Sequence, residues 1–271
     1  MSDTLKVALT QMTSVDDVAK NFSQIIHILD QLSTTVDIVS FPENSIYMRI
    51  KEGEQIPFYK LSDPIFYELG LEAKKRSCVL HLGSVPVELD EGKFNCSVLI
   101  DSEGKSTATY QKIHLFDIQL NEQKPIRESD VFHYGSQPSI LKLNDWKMGQ
   151  SICYDLRFSE LYRCYALREV DLIFVPSAFL VTTGQAHWET LLRARAIESQ
   201  AYVIASAQSG MHQSVKTASF RETYGHAMAI DPWGQVLTRL DTSPSVQILT
   251  LNKQRIAEVR QQIPMKDHRR L

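Results

Sequence analysis

A chain of 271 residues with 43% hydrophobic content can bury a sizeable core, as one large domain or two small ones. A net charge of −3 leaves no basic footprint for nucleic acid, and the one basic cluster, Lys266 to Arg270, is short enough to be a solvated tail. No apolar run approaches the roughly 20 residues of a membrane span, and Met1-Ser2-Asp3-Thr4 lacks the apolar segment of a signal peptide, so a soluble cytoplasmic protein is expected.

In chain order, Leu5 to Thr10 predicts a buried strand, and Phe22, Ile25, Ile26 and Leu29 then recur at helical spacing. Val36 to Phe41 predicts the next strand, ended by Pro42. A helix over Pro64 to Arg76 follows, then strands over Cys78 to Val87 and Phe94 to Asp101, joined by the turn-rich Leu89 to Lys93. Thr107 to Tyr110 is again β-rich.

The order then repeats. A strand over Trp146 to Ile152 ends at Cys153, a helix spans Glu160 to Arg168, and a strand spans Asp171 to Val175. A helix near His187 to Glu198 leads to strands at Ala201 to Ala207 and His226 to Asp231. Val36-Asp37-Ile38-Val39-Ser40-Phe41-Pro42 aligns with Val170-Asp171-Leu172-Ile173-Phe174-Val175-Pro176 at an offset of 134, and Ile100-Asp101-x-x-Gly104 with Ile230-Asp231-x-x-Gly234 at 130. Near-continuous apolar strands separated by helices are the mark of sheets covered on both faces. We therefore expect an α/β fold, a four-layer α-β-β-α sandwich with an internal pseudo-two-fold repeat. No Pro/Gly-rich linker divides the halves, so residues 1–271 are expected to form a single domain.

Three reactive side chains sit just past strand ends, where open α/β sheets place their sites. Glu43 follows Pro42, Lys112 follows the β-rich stretch, and Cys153 follows Ile152. A thiol with a pKa near 8.5 needs a base or a positive neighbour before it attacks a carbonyl. Glu43 can take that proton and later activate water. Lys112 and the backbone N–H of Tyr154 can meet the negative oxygen that forms on attack. Against this, cysteine is among the most buried residue types, and single Glu and Lys residues are ordinarily surface charges. Spacing alone leaves Cys153 open between a packed small hydrophobe and a nucleophile.

The four cysteines, Cys78, Cys96, Cys153 and Cys164, contain no C-x-x-C pair, so reduced thiols are expected, with no metal and no cofactor.

Phe41-Pro42-Glu43, Tyr110-Gln111-Lys112-Ile113-His114-Leu115-Phe116-Asp117 and Ile152-Cys153-Tyr154-Asp155-Leu156-Arg157-Phe158 resemble, in order, the three signature segments of the nitrilase superfamily of carbon–nitrogen hydrolases. The resemblance runs through nearly the whole chain. It implies that Glu43 is the general base, Lys112 the oxyanion stabiliser and Cys153 the nucleophile, with Glu128 positioning the lysine and substrate. It also implies the α-β-β-α sandwich, and a homodimer through the helix that follows Cys153, where Tyr162 and Tyr165 are of a type favoured at interfaces.

Within the superfamily, Val175 to Phe179, Thr182 to Glu189, Arg193 to Glu198 and Tyr224 to Gly234 are similar to the deaminated glutathione amidase branch, whose members cleave the amide between a 2-oxoglutarate unit and Cys-Gly. The sister ω-amidases, acting on 2-oxoglutaramate, share much of the pattern. The implied substrate is a small carboxylate-bearing amide, deaminated glutathione in the first place and 2-oxoglutaramate in the second. Two departures bear on substrate fit: Ser159 stands where the branch commonly has proline, and Gln119 to Lys124 replaces a glycine-containing loop.

Several side chains have two readings. Arg157 suits a substrate carboxylate but can equally pair with Asp155 or Glu160. Thr182 and Thr183 can line a pocket or cap the helix beginning near His187. His187 and His226 are expected to make structural hydrogen bonds, and Arg195 and Glu198 to form a salt bridge. Two rival readings remain. Ser151 in Gly149-Gln150-Ser151-Ile152-Cys153 resembles the nucleophile of a G-x-S-x-G elbow, although that elbow needs glycine where this chain has Cys153. From another class comes a catalytically silent binding module on the same fold.

Overall fold

The computed structural model describes residues 3–51, 53–119 and 125–270. The first half comprises β1 (Thr4–Met12), α1 (Val18–Asp30), β2 (Ile38–Phe41), α2 (Pro64–Arg76), β3 (Val79–Leu89), β4 (Gly92–Ile100) and β5 (Ser106–Gln111), followed by the short pair β6 (Asp117–Ile118) and β7 (Ile126–Arg127). The second comprises β8 (Ile140–Leu143), β9 (Trp146–Gln150), α3 (Ser159–Leu167), β10 (Leu172–Phe174), α4 (Val181–Ser199), β11 (Tyr202–Ala205), β12 (Ala207–Gln213), β13 (Phe220–Tyr224), β14 (Met228–Ile230), β15 (Val236–Arg239), β16 (Ser245–Asn252) and α5 (Lys253–Gln262).

Local chemistry sets the element ends. Asp17 caps α1 by accepting from the Lys20 N–H at 2.9 Å, and Ile25, Ile28 and Leu29 form its buried face. Pro64 opens α2, where its missing N–H costs nothing, and Ser77 closes it in the left-handed region at φ 50°. The β3–β4 hairpin turns on Asp90-Glu91, with Leu89 opposite Gly92.

In the first sheet β1, β2 and β3 run parallel, β4 and β5 continue antiparallel, and β16 lies antiparallel along β1. In the second, β9, β10 and β11 run parallel, β14 and β15 continue antiparallel, and β8 lies antiparallel along β9. The two sheets thus repeat one order. The turns after β4 and β14 even share their hydrogen bonds. Asp101 Oδ1 accepts from the N–H groups of Glu103 and Lys105, as Asp231 Oδ1 accepts from those of Trp233 and Gln235. Gly104 and Gly234, at φ 88° and 86°, donate back to Asp101 and Asp231. A residue with a Cβ is strained at such φ, which is why both turns carry glycine.

The sheets pack face to face, with Val7, Leu9 and Ile38 of the first in one cluster with Met148, Leu172 and Phe174 of the second. Helices α1 and α2 cover the outer face of the first sheet through Ile25, Ile28, Phe66 and Leu69. Tyr162 and Tyr165 of α3 and Trp188 and Leu192 of α4 join the cluster of the second. This is the four-layer α-β-β-α sandwich. Gly83 marks where the layers meet most closely, since a Cβ there would lie 2.2 Å from Cβ of Pro176. That contact sets the middle of β3 beside the segment that follows β10.

Four sequence expectations need correction. Strand β9 ends at Gln150, and Cys153 instead opens a 3-10 turn over Cys153–Arg157. Tyr162 and Tyr165 are completely buried inside the chain, their hydroxyls bonded to Ser151 and Gln150, so they offer nothing to a partner; α3 turns Glu160, Arg163 and Leu167 outward. Helix α4 begins at Val181, which puts Thr182 and Thr183 inside its first turn with Leu180 as the cap residue. Finally, β12 and β13 were not foreseen. They follow the second sheet's β11 yet join the first, where Gln11 and Met12 of β1 pair with Ala207 and Gln208. Among the described residues no helix is long and apolar enough to cross a membrane.

Candidate active site

The end of β2 and the segment past β10 meet around Gly83 and lead into one cavity. Past β2, Glu43 is 4% exposed. Its Oε2 accepts the N–H of Ala178 at 2.9 Å, and its carbonyl accepts from Gln208 Nε2 at 2.9 Å, so the chain past β10 and strand β12 both hold it. Past β5, Lys112 is 2% exposed and lines the same space. Its Nζ lies 2.9 Å from Oε1 of Glu43 and 2.8 Å from Oε2 of Glu128. Glu128 is oriented in turn by the N–H of Phe116 at 2.6 Å and by Asn95 Nδ2 at 2.9 Å.

Cys153 sits at φ 48°, a region that disfavours side chains with a Cβ, and its N–H donates to Pro176 at 2.9 Å. Asp155 stabilises that turn from within. Completely buried, it accepts from the Ile152 N–H at 2.9 Å and the Tyr110 hydroxyl at 2.7 Å, and from both the N–H and the Nδ1 of His114 at 3.0 and 2.7 Å. Tyr110 and His114 flank Lys112 by two residues on either side. One carboxylate therefore ties the lysine segment to the cysteine turn. Arg195 supports the turn from α4, its Nε and Nη2 donating to the Leu156 carbonyl at 3.0 and 2.9 Å, while Nη1 meets Glu198 at 2.9 Å.

The electrostatics follow from burial and charge. Burial and the neighbouring Glu43 carboxylate push the Cys153 thiol well above its ordinary range, against the pull of Lys112. The thiol is therefore held in its protonated form, with the Glu43 carboxylate as its neighbour in the cavity. Burial alone would discharge Lys112, but Glu128 and Glu43 outweigh it and raise the lysine well above its ordinary value. The resting site holds a thiol and a cation between two carboxylates.

Glu43, Lys112, Glu128, Cys153, Tyr154, Arg157 and Thr183 all line this cavity. Thr182 does not: it is exposed on the outer side of the first turn of α4. Thr183 Oγ1 bonds back to the Leu180 carbonyl at 3.4 Å, a bond within the turn rather than a cap. Arg157 pairs with neither Asp155, whose oxygens are taken, nor Glu160; its Nη1 lies 3.1 Å from His187 Nδ1, with the guanidinium 5.5 Å from the Phe179 ring centre. His226 Nδ1 is satisfied by the Tyr224 carbonyl at 2.8 Å. Ser151 is completely buried, its Oγ on the Tyr162 hydroxyl and the Phe174 carbonyl at 2.8 Å each, and it has no face on the cavity. The departure at Gln119 to Lys124 lies, from residue 120 onward, outside the described residues. Among the described residues no group of three His, Cys, Asp or Glu side chains could hold a metal ion.

The cavity also contains residues that sequence reasoning missed, above all Arg49 and Arg221. Arg49 has no motif around it, in the segment between β2 and α2, and Arg221 lies on the unforeseen strand β13.

A thiol, a carboxylate and a buried ammonium at one cavity suit acyl chemistry. The family described as carbon-nitrogen hydrolase matches residues 6–261. The chain belongs to that family. As a carbon–nitrogen hydrolase it is 35% identical over 268 residues to the deaminated glutathione amidase of Synechocystis sp., covering 97% of both chains. To the enzyme of that name from Homo sapiens it is 34% identical over 275 residues, covering 97% of this chain and 82% of that one. Among solved structures, the NitFhit protein of C. elegans superposes with a TM-score of 0.87 at 32% identity; 98% of this chain is covered, and it spans 65% of that chain's length. XC1258 from Xanthomonas campestris, a CN-hydrolase superfamily protein, superposes with a TM-score of 0.84 at 23% identity, over 100% of this chain and 98% of that one, and shows the same fold.

Proposed function

We propose that this hydrolase of carbon–nitrogen bonds works through a Cys153 acyl-enzyme, and that its substrate is deaminated glutathione, cleaved to 2-oxoglutarate and Cys-Gly. The observation that carries the mechanism is the meeting of Cys153 and Glu43 with an ammonium held at 2.9 and 2.8 Å by two carboxylates. The substrate rests on the relatives named deaminated glutathione amidase.

Glu43 takes the Sγ proton as sulfur adds to the amide carbon. Negative charge moves to the former carbonyl oxygen, where Lys112 Nζ and the Tyr154 N–H meet it. The C–N bond then breaks, and Glu43 passes its proton to the departing nitrogen, so the amine leaves neutral. Water, deprotonated by the same carboxylate, hydrolyses the thioester and frees the acid and the thiol. Glu128 keeps Lys112 charged and aimed throughout. Arg157 and Thr183 serve the acyl carboxylate, a role in which a guanidinium forms paired hydrogen bonds. The reading includes a cytoplasmic homodimer joined through α3.

A coupled assay for released 2-oxoglutarate, run side by side on deaminated glutathione and 2-oxoglutaramate, tests the substrate. A higher kcat/KM for deaminated glutathione is expected. Preference for 2-oxoglutaramate would make the protein an ω-amidase, and release from neither would overturn the substrate while leaving the cysteine chemistry to be tested on other small amides.

A further inference from the structure

We infer that the active-site cavity continues past Arg49 into a leaving-group subsite that takes the carboxylate of a short peptide-like amine; the inference rests on the cysteine-amidase reading. The departing nitrogen receives its proton from Glu43, so the leaving group lies on the Glu43 side of Cys153, away from the turn that carries Tyr154 and Arg157. From Glu43 the chain runs along that side, with Asn44, Tyr47 and Arg49 lining the cavity in succession. Arg49 and Ile56 belong also to a second, outer concavity, whose walls include Phe58, Lys93 and Arg127. The two hollows therefore adjoin, with Arg49 and Ile56 lining both.

Among the described residues, the charges lining the outer hollow favour an anion. Arg49, Lys93 and Arg127 face it against Glu54 and Asp130. Glu54 accepts from the Tyr47 hydroxyl at 3.0 Å and meets Lys216 Nζ at 3.3 Å. An apolar wall completes it, since the Phe58 ring packs on Phe132 at 5.7 Å and carries Lys93 Nζ over its face at 4.6 Å. A cationic entrance beside an aromatic wall matches a small apolar side chain followed by a C-terminal carboxylate.

The segment that carries Arg49 is held in place before any ligand arrives. Asn21 Nδ2 donates to the Ile46 carbonyl at 2.8 Å, and the Met48 N–H donates to Val15 at 3.1 Å. Arg221 Nη1 reaches the Arg49 carbonyl at 3.5 Å from strand β13. A subsite on a fixed segment loses little ordering entropy on binding. An amide that releases ammonia has nothing to place there, so this hollow separates peptide-like leaving groups from ammonia.

The test compares three substrates: deaminated glutathione, the same compound with its glycine carboxylate amidated, and 2-oxoglutaramate. The wild-type protein is expected to prefer the free carboxylate over the carboxamide by about tenfold or more in kcat/KM, the scale of one charge-assisted hydrogen bond. Arg49→Gln is expected to erase that preference, and to lower kcat/KM for deaminated glutathione at least about tenfold further than for 2-oxoglutaramate. Equal cleavage of carboxylate and carboxamide by the wild type overturns the subsite, and this arm needs no variant to fold. An equal loss on all three substrates in Arg49→Gln also overturns it. Turnover of 2-oxoglutaramate alone sinks the subsite and keeps the amidase. If none of the three is cleaved, the substrate reading fails, and calorimetric titration of Cys-Gly against Cys-glycinamide decides the subsite: carboxylate-dependent binding lost in Arg49→Gln upholds it, and equal or absent binding overturns it.

Discussion

The Nζ of Lys112 lies 2.9 Å from Oε1 of Glu43, although 69 residues separate the two in the chain. The pair is buried, and Glu128 closes the far side of the lysine at 2.8 Å. Lys112→Met therefore removes the proposed oxyanion donor and leaves two carboxylates facing each other out of water. We expect kcat to fall by at least ~10²-fold and stability to fall by about 3–5 kcal/mol. Adding Glu128→Gln should restore part of the melting temperature and none of the kcat. A change in KM alone, or full recovery of activity in the double variant, would reassign the lysine.

Cys153→Ala should abolish hydrolysis while the protein stays folded, because it deletes one atom at a cavity wall and, in the proposed mechanism, that atom bonds to the acyl carbon. The melting temperature should move by only a few degrees. Cys153→Ser should be nearly as inactive, since Glu43 is too weak a base for a hydroxyl. Residual activity above a few per cent in the alanine variant would refute covalent catalysis.

Asp155 is buried behind the cavity and does not line it, yet it spans the lysine segment and the cysteine turn through four accepted hydrogen bonds. Asp155→Asn puts an amide donor where every neighbour also donates. A positioning role predicts a fall in kcat of roughly 10²-fold with KM nearly unchanged, as expected when reacting groups shift by about 1 Å. A matching rise in KM, or loss of stability with normal kcat in the folded fraction, would show a purely structural role.

Burial lowers His81, stacked on Phe174 between the sheets, from the usual histidine value to about 4, and lowers His212 likewise to about 4. The unfolded chain protonates these rings first as the pH drops, so both stabilise the fold fully above pH ~6.5 and lose that contribution as the pH falls towards ~4. Each accounts for on the order of 3 kcal/mol across that window. Denaturant titrations at pH 7 and pH 5 should show a clear loss of stability at the lower pH, reduced in His81→Phe. An unchanged slope in that variant would show that the ring is not the group that titrates.

Pairing of two chains through α3 predicts a light-scattering mass of twice 30.9 kDa at micromolar concentration, and Leu167→Arg should reduce it to one chain. A single-chain mass for the wild type would exclude the dimer.

The sequence by itself determined the parts that depend on neighbours along the chain. Apolar runs ended by Pro42 and Pro176 located the parallel strands of both halves, and the matched Asp-x-x-Gly turns after Ile100 and Ile230 exposed the repeat, because turn geometry demands glycine at a left-handed φ. The family motifs around Glu43, Lys112 and Cys153 singled out a carboxylate, an ammonium and a thiol that the fold brings to one cavity. What the tertiary structure decided is everything that depends on which segments meet. Strand β12 carries Gln208, Ser209, His212 and Gln213, and β13 carries Arg221, Glu222 and Thr223, so neither gives an apolar periodic signal, yet β12 crosses to the first sheet and anchors Glu43 through Gln208. Tyr162 and Tyr165 have the chemistry of an interface, and packing against Ser151 and Gln150 turns them inward. Arg49 and Arg221 have no local pattern because a binding side chain is selected by the space it reaches. That space exists only once two sheets, brought to close contact at Gly83 and Pro176, set the ends of their strands around one cavity.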